Sequence, residues 1–443
     1  MENKNLNLQE ALAYIKELGV DYGDIRIKDI LTEQIKMENG KLTDLKNCRS
    51  RGAGVRVYVD GKMGFAASSN ISNLKDTVKL AYDTALTSSP GLVQVKKEAV
   101  TAQYATKIDT NPFDVPIKEK LNLLTKCNAE MAKVKGVCKC EAFMHFSQED
   151  VTFADTDGSL IQQVFYLSGG GIVARAGSQW RSYGNSVRAG YEAVLGLKLL
   201  DYAGSIAKEV VALSAAQDCP KGDFDIVMMP NQLSLQIHES VGHPTELDRV
   251  LGSELAFAGG SFLSPDDAGL VYGSSHMTVV EEYDGYDDEG VMPGCVVLVD
   301  KGKFKNFQTT GLAEGWGNLP IVRMTNINLQ PGSDTLDGLI SGIKDGFLVE
   351  ENKSWSIDDK RVNFQFSCEI AREIKDGKLT GKIFKNPTYT GNTTEFWGSL
   401  DGVCNEDHRQ MVGVPNCGKG QPMQIMYVGH ASCPARFRNV RFV

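Results

Sequence analysis

Apolar residues recur at helical spacing over 8–18, 74–86, 117–131 and 197–213, and alternate with polar ones in the segments between. Within that pattern a plan occurs twice. ENGKLTDLKNCRSRGAGVRVYVDGKMGFAASS from Glu38 and TDGSLIQQVFYLSGGGIVARAGSQWRSYGNS from Thr156 each open on an Asn-Gly or Asp-Gly turn. A glycine-interrupted apolar segment follows, then a second turn and a strand, and the turn-to-glycine distances (Gly40 to Gly54, Gly158 to Gly171) agree within one residue. Asn-Gly and Asp-Gly tolerate positive φ at both central positions and so favour type I′ hairpins. The pattern predicts helix, four strands, helix, twice over.

The segment DCPKGDFDIVMMPNQ changes the pattern. A Pro-Lys-Gly turn precedes a short apolar strand at 226–229, and Pro230 suits the opening of a helix that runs from about Gln232. Beyond Gly259 the chain alternates around Asp-Gly, Glu-Gly and Lys-Gly turns through 311, and only 335–343 offers another helical pattern. The expected fold is α+β: an N-terminal domain, 1–218, built from the repeated unit and serving as scaffold, and a mostly β C-terminal domain, 219–443, with one motif-bearing helix. A chain of 443 residues exceeds the usual size of one core, which agrees with two domains.

Charge narrows the function. A net charge of −9 argues against a general affinity for nucleic acid or anionic membrane, both of which need clustered Lys and Arg. The basic ARFRNVRFV at 435–443 alternates apolar with charged residues and reads as a final strand. No apolar run reaches the ~20 residues of a membrane helix, and the N-terminus lacks the pattern of a signal peptide. Ten cysteines are too sparse for a disulfide scaffold, so reduced thiols and a cytosolic location are expected. Cys138 and Cys140, at period 2, are expected to share one face of a strand as packing residues.

Candidate chemistry is concentrated in LQIHESVGHPTE, where His238 and His243 stand five residues apart and Glu239 follows the first. On an unbroken α-helix the two imidazoles would lie about 140° apart, at roughly 100° per residue, and could not easily share one cation. The sequence predicts that the helix gives way between Gly242 and Pro244, with Gly242 left-handed and Pro244 near the start of a new turn. A catalytic zinc takes three protein ligands. Candidates for the third are Glu246, Asp248 and C-terminal cysteines, of which Cys417 stands out in a Pro/Asn/Gly-rich turn beside Lys419, whose charge would favour the thiolate. Cys433 comes second. The remaining histidines, His145, His276, His408 and His430, are singletons expected in core or surface roles.

HESVGHPTELD, DDEGV at 287–291, VRMTNINLQPG at 322–332 and NCGKGQP at 416–422 resemble, in order and spacing, the TldD/PmbA family, peptidases once labelled modulators of DNA gyrase. The resemblance covers essentially the whole chain. The His-Glu-x-x-x-His motif is similar to that of the TldD branch and is absent from the PmbA (TldE) branch. The resemblance implies a metallopeptidase with zinc held by His238, His243 and Cys417, Glu239 as general base, and a partner that closes over an enclosed cleft. That partner would be an identical chain or a PmbA (TldE)-like paralogue. Pro244 departs from relatives, which commonly carry a small residue there.

Peptide hydrolysis needs a polarised carbonyl, an acidified water and a base, and zinc with Glu239 would supply them. Glu246 or Asp248 would orient the imidazoles, while Asp288 and Glu289 either line the cleft or form a solvated turn. The expected substrates are unfolded or extended peptides. The alternatives are a metal-dependent amidase acting on small molecules and a non-catalytic scaffold subunit.

Overall fold

The computed structural model describes residues 2–89, 98–292, 294–309, 322–420 and 423–443. Its N-terminal half opens with α1 (Glu2–Glu17), β1 (Tyr22–Glu38), β2 (Lys41–Val59), β3 (Lys62–Ser68) and α2 (Leu74–Thr87). After β4 (Thr101–Ala105) the plan returns as α3 (Ile117–Ala132), β5 (Lys139–Asp155), β6 (Leu160–Ala176), β7 (Gln179–Val187), α4 (Tyr191–Gly196) and α5 (Leu199–Ala215). The repeat therefore holds, but each unit has three long strands between its helices where the pattern predicts four.

The miscount has a physical origin. Glycines within the strands do not break them; they make room for neighbouring side chains. A Cβ on Gly169 would meet the His145 ring at 2.5 Å, and one on Gly171 would meet the Phe143 ring at 2.7 Å. The Asn39–Gly40 turn has positive φ at both residues, 49° and 74°, as a type I′ hairpin requires, whereas only Gly158 does so in the second copy.

Both units join one sheet. Its order is β3-β2-β1-β5-β6-β4 with β7 on β6, and β1 pairs β5 antiparallel from Asp24↔Asp155 to Glu38↔Glu141, so the copies meet at their first strands. Ile25, Ile27, Ile35 and Met37 of β1 point to the helix-covered face, the first two packing with α1 and α2, the last two with α3 and α5. Cys140 joins that core, but Cys138 lies exposed ahead of the strand, because the strand begins only at Lys139. The alternate residues Asp24, Arg26 and Lys28 turn to the opposite face.

The second half is built on β8 (Gly222–Met228), which pairs parallel with Asp345–Ile357 and antiparallel with Ala435–Phe442 in a seven-stranded sheet. The basic C-terminal segment is thus a strand inside the sheet. Arg438 pairs with Asp225 at 2.7 Å and Arg436 with Asp401 at 2.7 Å, so their charge is spent within the fold. A four-stranded sheet and the hairpin Gln410–Lys419/Gln424–Ser432 complete this half. The predicted helix at 335–343 is observed as Leu336–Ser341, and a further one, Thr393–Gly398, was not foreseen. The end of the hairpin-rich stretch, 310–311, and Gln421 and Pro422 of the NCGKGQP segment lie outside the described residues. No helix among the described residues is long and apolar enough to cross a membrane.

Candidate metal centre

β8 leads directly into α6 (Pro230–Ile237), with Met229 as N-cap and Pro230 in the first turn, as expected where a missing N–H costs nothing. Leu233 and Ile237 bury α6 in the main core. The regular helix then ends at the histidine motif: His238–Gly242 form a π-turn and His243–Thr245 a 3-10 turn. The backbone N–H of His243 donates to the carbonyl of His238. Five residues is the hydrogen-bond step of a π-turn, so the extra residue is absorbed by widening the helix.

This corrects the expected break at Gly242–Pro244. Gly242 is right-handed (φ −57, ψ −67), and its lack of a side chain serves packing: a Cβ would meet Met324 Cε at 2.5 Å. The irregular turn is held by other elements. Tyr272 donates to the Ser240 carbonyl at 2.6 Å, Trp397 Nε1 to Ser240 Oγ at 2.9 Å, and Gln308 Nε2 to the Gly242 carbonyl. The Ser240 carbonyl, whose α-helical partner would be Pro244 with no N–H, and the Gly242 carbonyl thereby find side-chain donors.

The widened turn brings the imidazoles of His238 and His243 to a centroid separation of 4.7 Å. Cys417, on the hairpin strand Gln410–Lys419, completes a buried trio whose ligand atoms lie within 4.8 Å of one another. Both Nδ1 atoms are already engaged, His243 with Glu246 Oε2 at 3.1 Å and His238 with His430 Nε2 at 2.8 Å. The two Nε2 atoms are left for a cation.

The electrostatics suit one. Burial, with the neighbouring charges of His243 and His430, holds His238 well below its ordinary pKa, so it is a neutral donor. Burial pushes the Cys417 thiol up to about 11, a cost that a bound cation relieves by taking the thiolate. Arg323 and, as expected, Lys419 pull that thiol toward the thiolate, but burial outweighs both, and the ammonium of Lys419 is already committed to Asp248 Oδ1 at 2.7 Å, Glu246 Oε2 at 3.2 Å and the Val322 carbonyl at 2.7 Å.

Residues 23–85 match the PmbA/TldA metallopeptidase domain 1, residues 110–217 its central domain and residues 221–441 its C-terminal domain. The chain belongs to the PmbA/TldD metallopeptidase family. It is 29% identical to a metalloprotease of Methanothermobacter thermautotrophicus over 95% of each chain. It is 22% identical to a zinc metalloprotease TldD homolog of Saccharolobus solfataricus over 94% of this chain and 99% of the other. Two crystal structures share the fold. A candidate modulator of a DNA gyrase from Thermotoga maritima gives a TM-score of 0.78 at 16% identity, covering 99% of this chain and all of that one. TldE from Thermococcus kodakarensis gives 0.73 at 15% identity, with the same coverage.

The remaining predicted residues of this family member fall in four places. Glu246 reaches an imidazole; burial opposes its ionisation, but Lys419, His243 and Arg249 hold it well below the usual carboxylate range. Asp248 touches no imidazole and instead accepts from Lys419 and from the Val322 N–H at 3.1 Å, tying the motif to the 322–332 segment. Asp288 and Glu289 reach the polar face of the N-terminal sheet, where Glu289 meets Arg56 at 3.1 Å and Asp288 meets Arg26 at 3.5 Å. Cys433 is buried elsewhere, against the Asn405 carbonyl at 3.2 Å.

Two site residues escape sequence reasoning. His430, read as a bystander, lies against His238 with its ring tilted by 54° and its Nε2 at 2.8 Å from His238 Nδ1, and burial lowers it to about 3. Arg361, in the turn between Asp345–Ile357 and Asn363–Lys375, pairs with Glu239 at 2.7 Å. Neither carries a local motif; both are delivered by strand register.

Proposed function

We propose that this chain is a zinc peptidase that hydrolyses peptide bonds of unfolded or extended polypeptides, with His238, His243 and Cys417 as ligands and Glu239 as general base. The observation that carries the reading is the convergence of two imidazoles and a thiol within 4.8 Å, beside a carboxylate one residue from the first ligand. Two nitrogens and a sulfur are the donor set of a three-ligand zinc site with a position left open. When bound, zinc supplies Lewis acidity toward a carbonyl oxygen and toward water. Glu239 takes the proton from the attacking water and returns it to the departing amine. Glu246 and His430 hold the imidazoles in one tautomer.

The substrate class rests on burial. His238, His243 and Cys417 are only 3%, 5% and 4% exposed, so a peptide bond must be carried inward on a chain free to extend. A stable fold must first open locally, at a cost of several kcal/mol in general, whereas a disordered segment need not. The reading keeps 1–218 as scaffold and 219–443 as the catalytic part. It also includes pairing with an identical chain or a PmbA (TldE)-like paralogue, which the likeness of fold to TldE supports. Free thiols at every cysteine suit a cytosolic site of action.

The test is a purified chain, alone and with a co-expressed paralogue, assayed for zinc content and for cleavage of one protein offered folded and permanently unfolded. Cleavage of the unfolded form only, lost in Glu239→Gln with zinc retained, is expected. Cleavage confined to single-residue amides would favour a small-molecule amidase. A chain without stoichiometric zinc and without turnover in either arm would be a scaffold subunit.

A further inference from the structure

The Arg361–Glu239 pair is costly to build. The two side chains are 13% and 9% exposed, and Arg361 holds a left-handed backbone, φ 63°, which L-residues adopt reluctantly. That backbone is braced on every side. Arg361 N–H donates to the Asp358 carbonyl at 2.9 Å, Thr393 Oγ1 donates to the Arg361 carbonyl at 2.7 Å, and Gly259 packs so closely that a Cβ would meet the Asp359 carbonyl at 2.3 Å. The guanidinium spends Nη1 on Glu239 Oε2 and places Nη2 at 3.4 Å from the Ala258 carbonyl. Its Nε is buried with no partner among the described residues. A braced, strained cation with an unused buried donor, touching the residue read as the base, calls for a role in the reaction.

We infer that Arg361 is a catalytic residue that passes from Glu239 to the substrate's carbonyl oxygen as the tetrahedral intermediate forms, an assignment that rests on the peptidase reading above. In the resting site Arg361 fixes one oxygen of Glu239 and leaves the other for water. In the first step an O–H bond of water breaks and its proton goes to Glu239. The water oxygen forms a bond to the carbonyl carbon, and the π pair of the carbonyl moves onto its oxygen. The negative charge that held the guanidinium vanishes from Glu239 as an equal charge grows on that oxygen. Arg361 then donates to it from Nη1 or Nε. When the intermediate collapses, the pair returns to re-form the carbonyl, the C–N bond breaks, the proton passes from Glu239 to nitrogen, and the ion pair is restored.

The experiment compares wild type with Arg361→Gln, Arg361→Lys and Arg361→Ala in the zinc-loaded full chain, on a cleavable peptide and on a phosphinic pseudopeptide that places a tetrahedral anion at the scissile position. For Arg361→Gln we expect kcat to fall by about 10²–10³-fold, the usual loss for one oxyanion donor, with KM and zinc content nearly unchanged. Affinity for the phosphinate should fall in proportion, while affinity for the uncleaved peptide in a Glu239→Gln background should not. Arg361→Lys should retain part of kcat, and added guanidinium should restore part of it to Arg361→Ala, which a misfolded variant would not show. Unimpaired turnover, an equal loss of affinity for both ligands, loss of zinc, or absence of rescue overturns the assignment. An inactive wild type that ignores the phosphinate overturns the peptidase reading itself, and Arg361 with it.

Discussion

His238 Nδ1 and His430 Nε2 stand 2.8 Å apart across 192 residues of chain, and this contact ties the tautomer of His238 to that of His430. His430 Nδ1 lies 3.1 Å from both the Ile327 carbonyl and the Ile327 N–H, so the backbone can accept from it or donate to it. With the proton of His430 on Nδ1, its Nε2 accepts from His238 Nδ1–H, and His238 Nε2 presents a lone pair. With the protons reversed, His238 would carry hydrogen on Nε2 and could not ligate there. Cation binding selects the first arrangement. His430→Phe should therefore weaken zinc binding by about 10–100-fold, the usual cost of losing an outer hydrogen bond to a ligand. Competition with a chelating dye measures it, with exposed His276→Phe as the control. Equal affinities would reduce His430 to packing.

The π-turn makes a second prediction. Gly242→Ala introduces a methyl 2.5 Å from Met324 Cε without straining φ, so its cost is overpacking, about 1–3 kcal/mol. Met324→Ala in the same chain should recover part of that stability, because it removes the atoms that clash. Urea denaturation of the four combinations reads the coupling. If the two losses simply add, the closeness at Gly242 does not limit substitution.

Much of this architecture is legible in the residues. Pro230 announces the start of the motif helix, Asn39–Gly40 a type I′ hairpin, and Thr335 the helix it caps by accepting from Gly338 N–H. These signals are local, set by φ restrictions and side-chain capping. The π-turn is not, because it depends on Tyr272 and Gln308 from the loops after it and on Trp397 from the helix Thr393–Gly398. His430 and Arg361 have the same character. In sequence they are a lone histidine and a turn arginine, and only the pairing of strands carries them to His238 and Glu239.

The proposed third ligand, Cys417, can be separated from its rival by a paired substitution. Cys417→Ser should lose zinc or bind it far more weakly, since an alcohol is a poor ligand beside a thiolate. Cys433→Ser should keep it, because that thiol is turned to the Asn405 carbonyl. Metal analysis after dialysis gives the answer, and the reverse result would move the third ligand to Cys433.

Away from the candidate metal centre, Glu351 predicts how stability depends on pH. It sits where β7 meets the strands Asp345–Ile357 and Asn363–Lys375, amid Arg181, Arg372, Glu209, Glu350 and Glu369. The arginines are taken: Arg181 reaches Glu369 at 2.8 Å, and Arg372 reaches Glu350 at 2.9 Å. Glu351 is left with the Asn231 amide at 2.5 Å. Burial, aided by the charge of Glu369, raises it from about 4.5 to about 8. The folded chain thus keeps a proton that the unfolded chain releases above about 4.5. By linkage, this group makes stability fall as pH rises from about 4.5 to about 8, and adds no slope above that. Glu351→Gln keeps an oxygen for Asn231 and cannot ionise, so its advantage in Tm over wild type should be small near pH 5, grow through pH 7 and level off above pH 8. Parallel Tm curves for the two proteins between pH 5 and 9 would mean that Glu351 is charged in the fold, and that the arginines shield it despite their nearer partners.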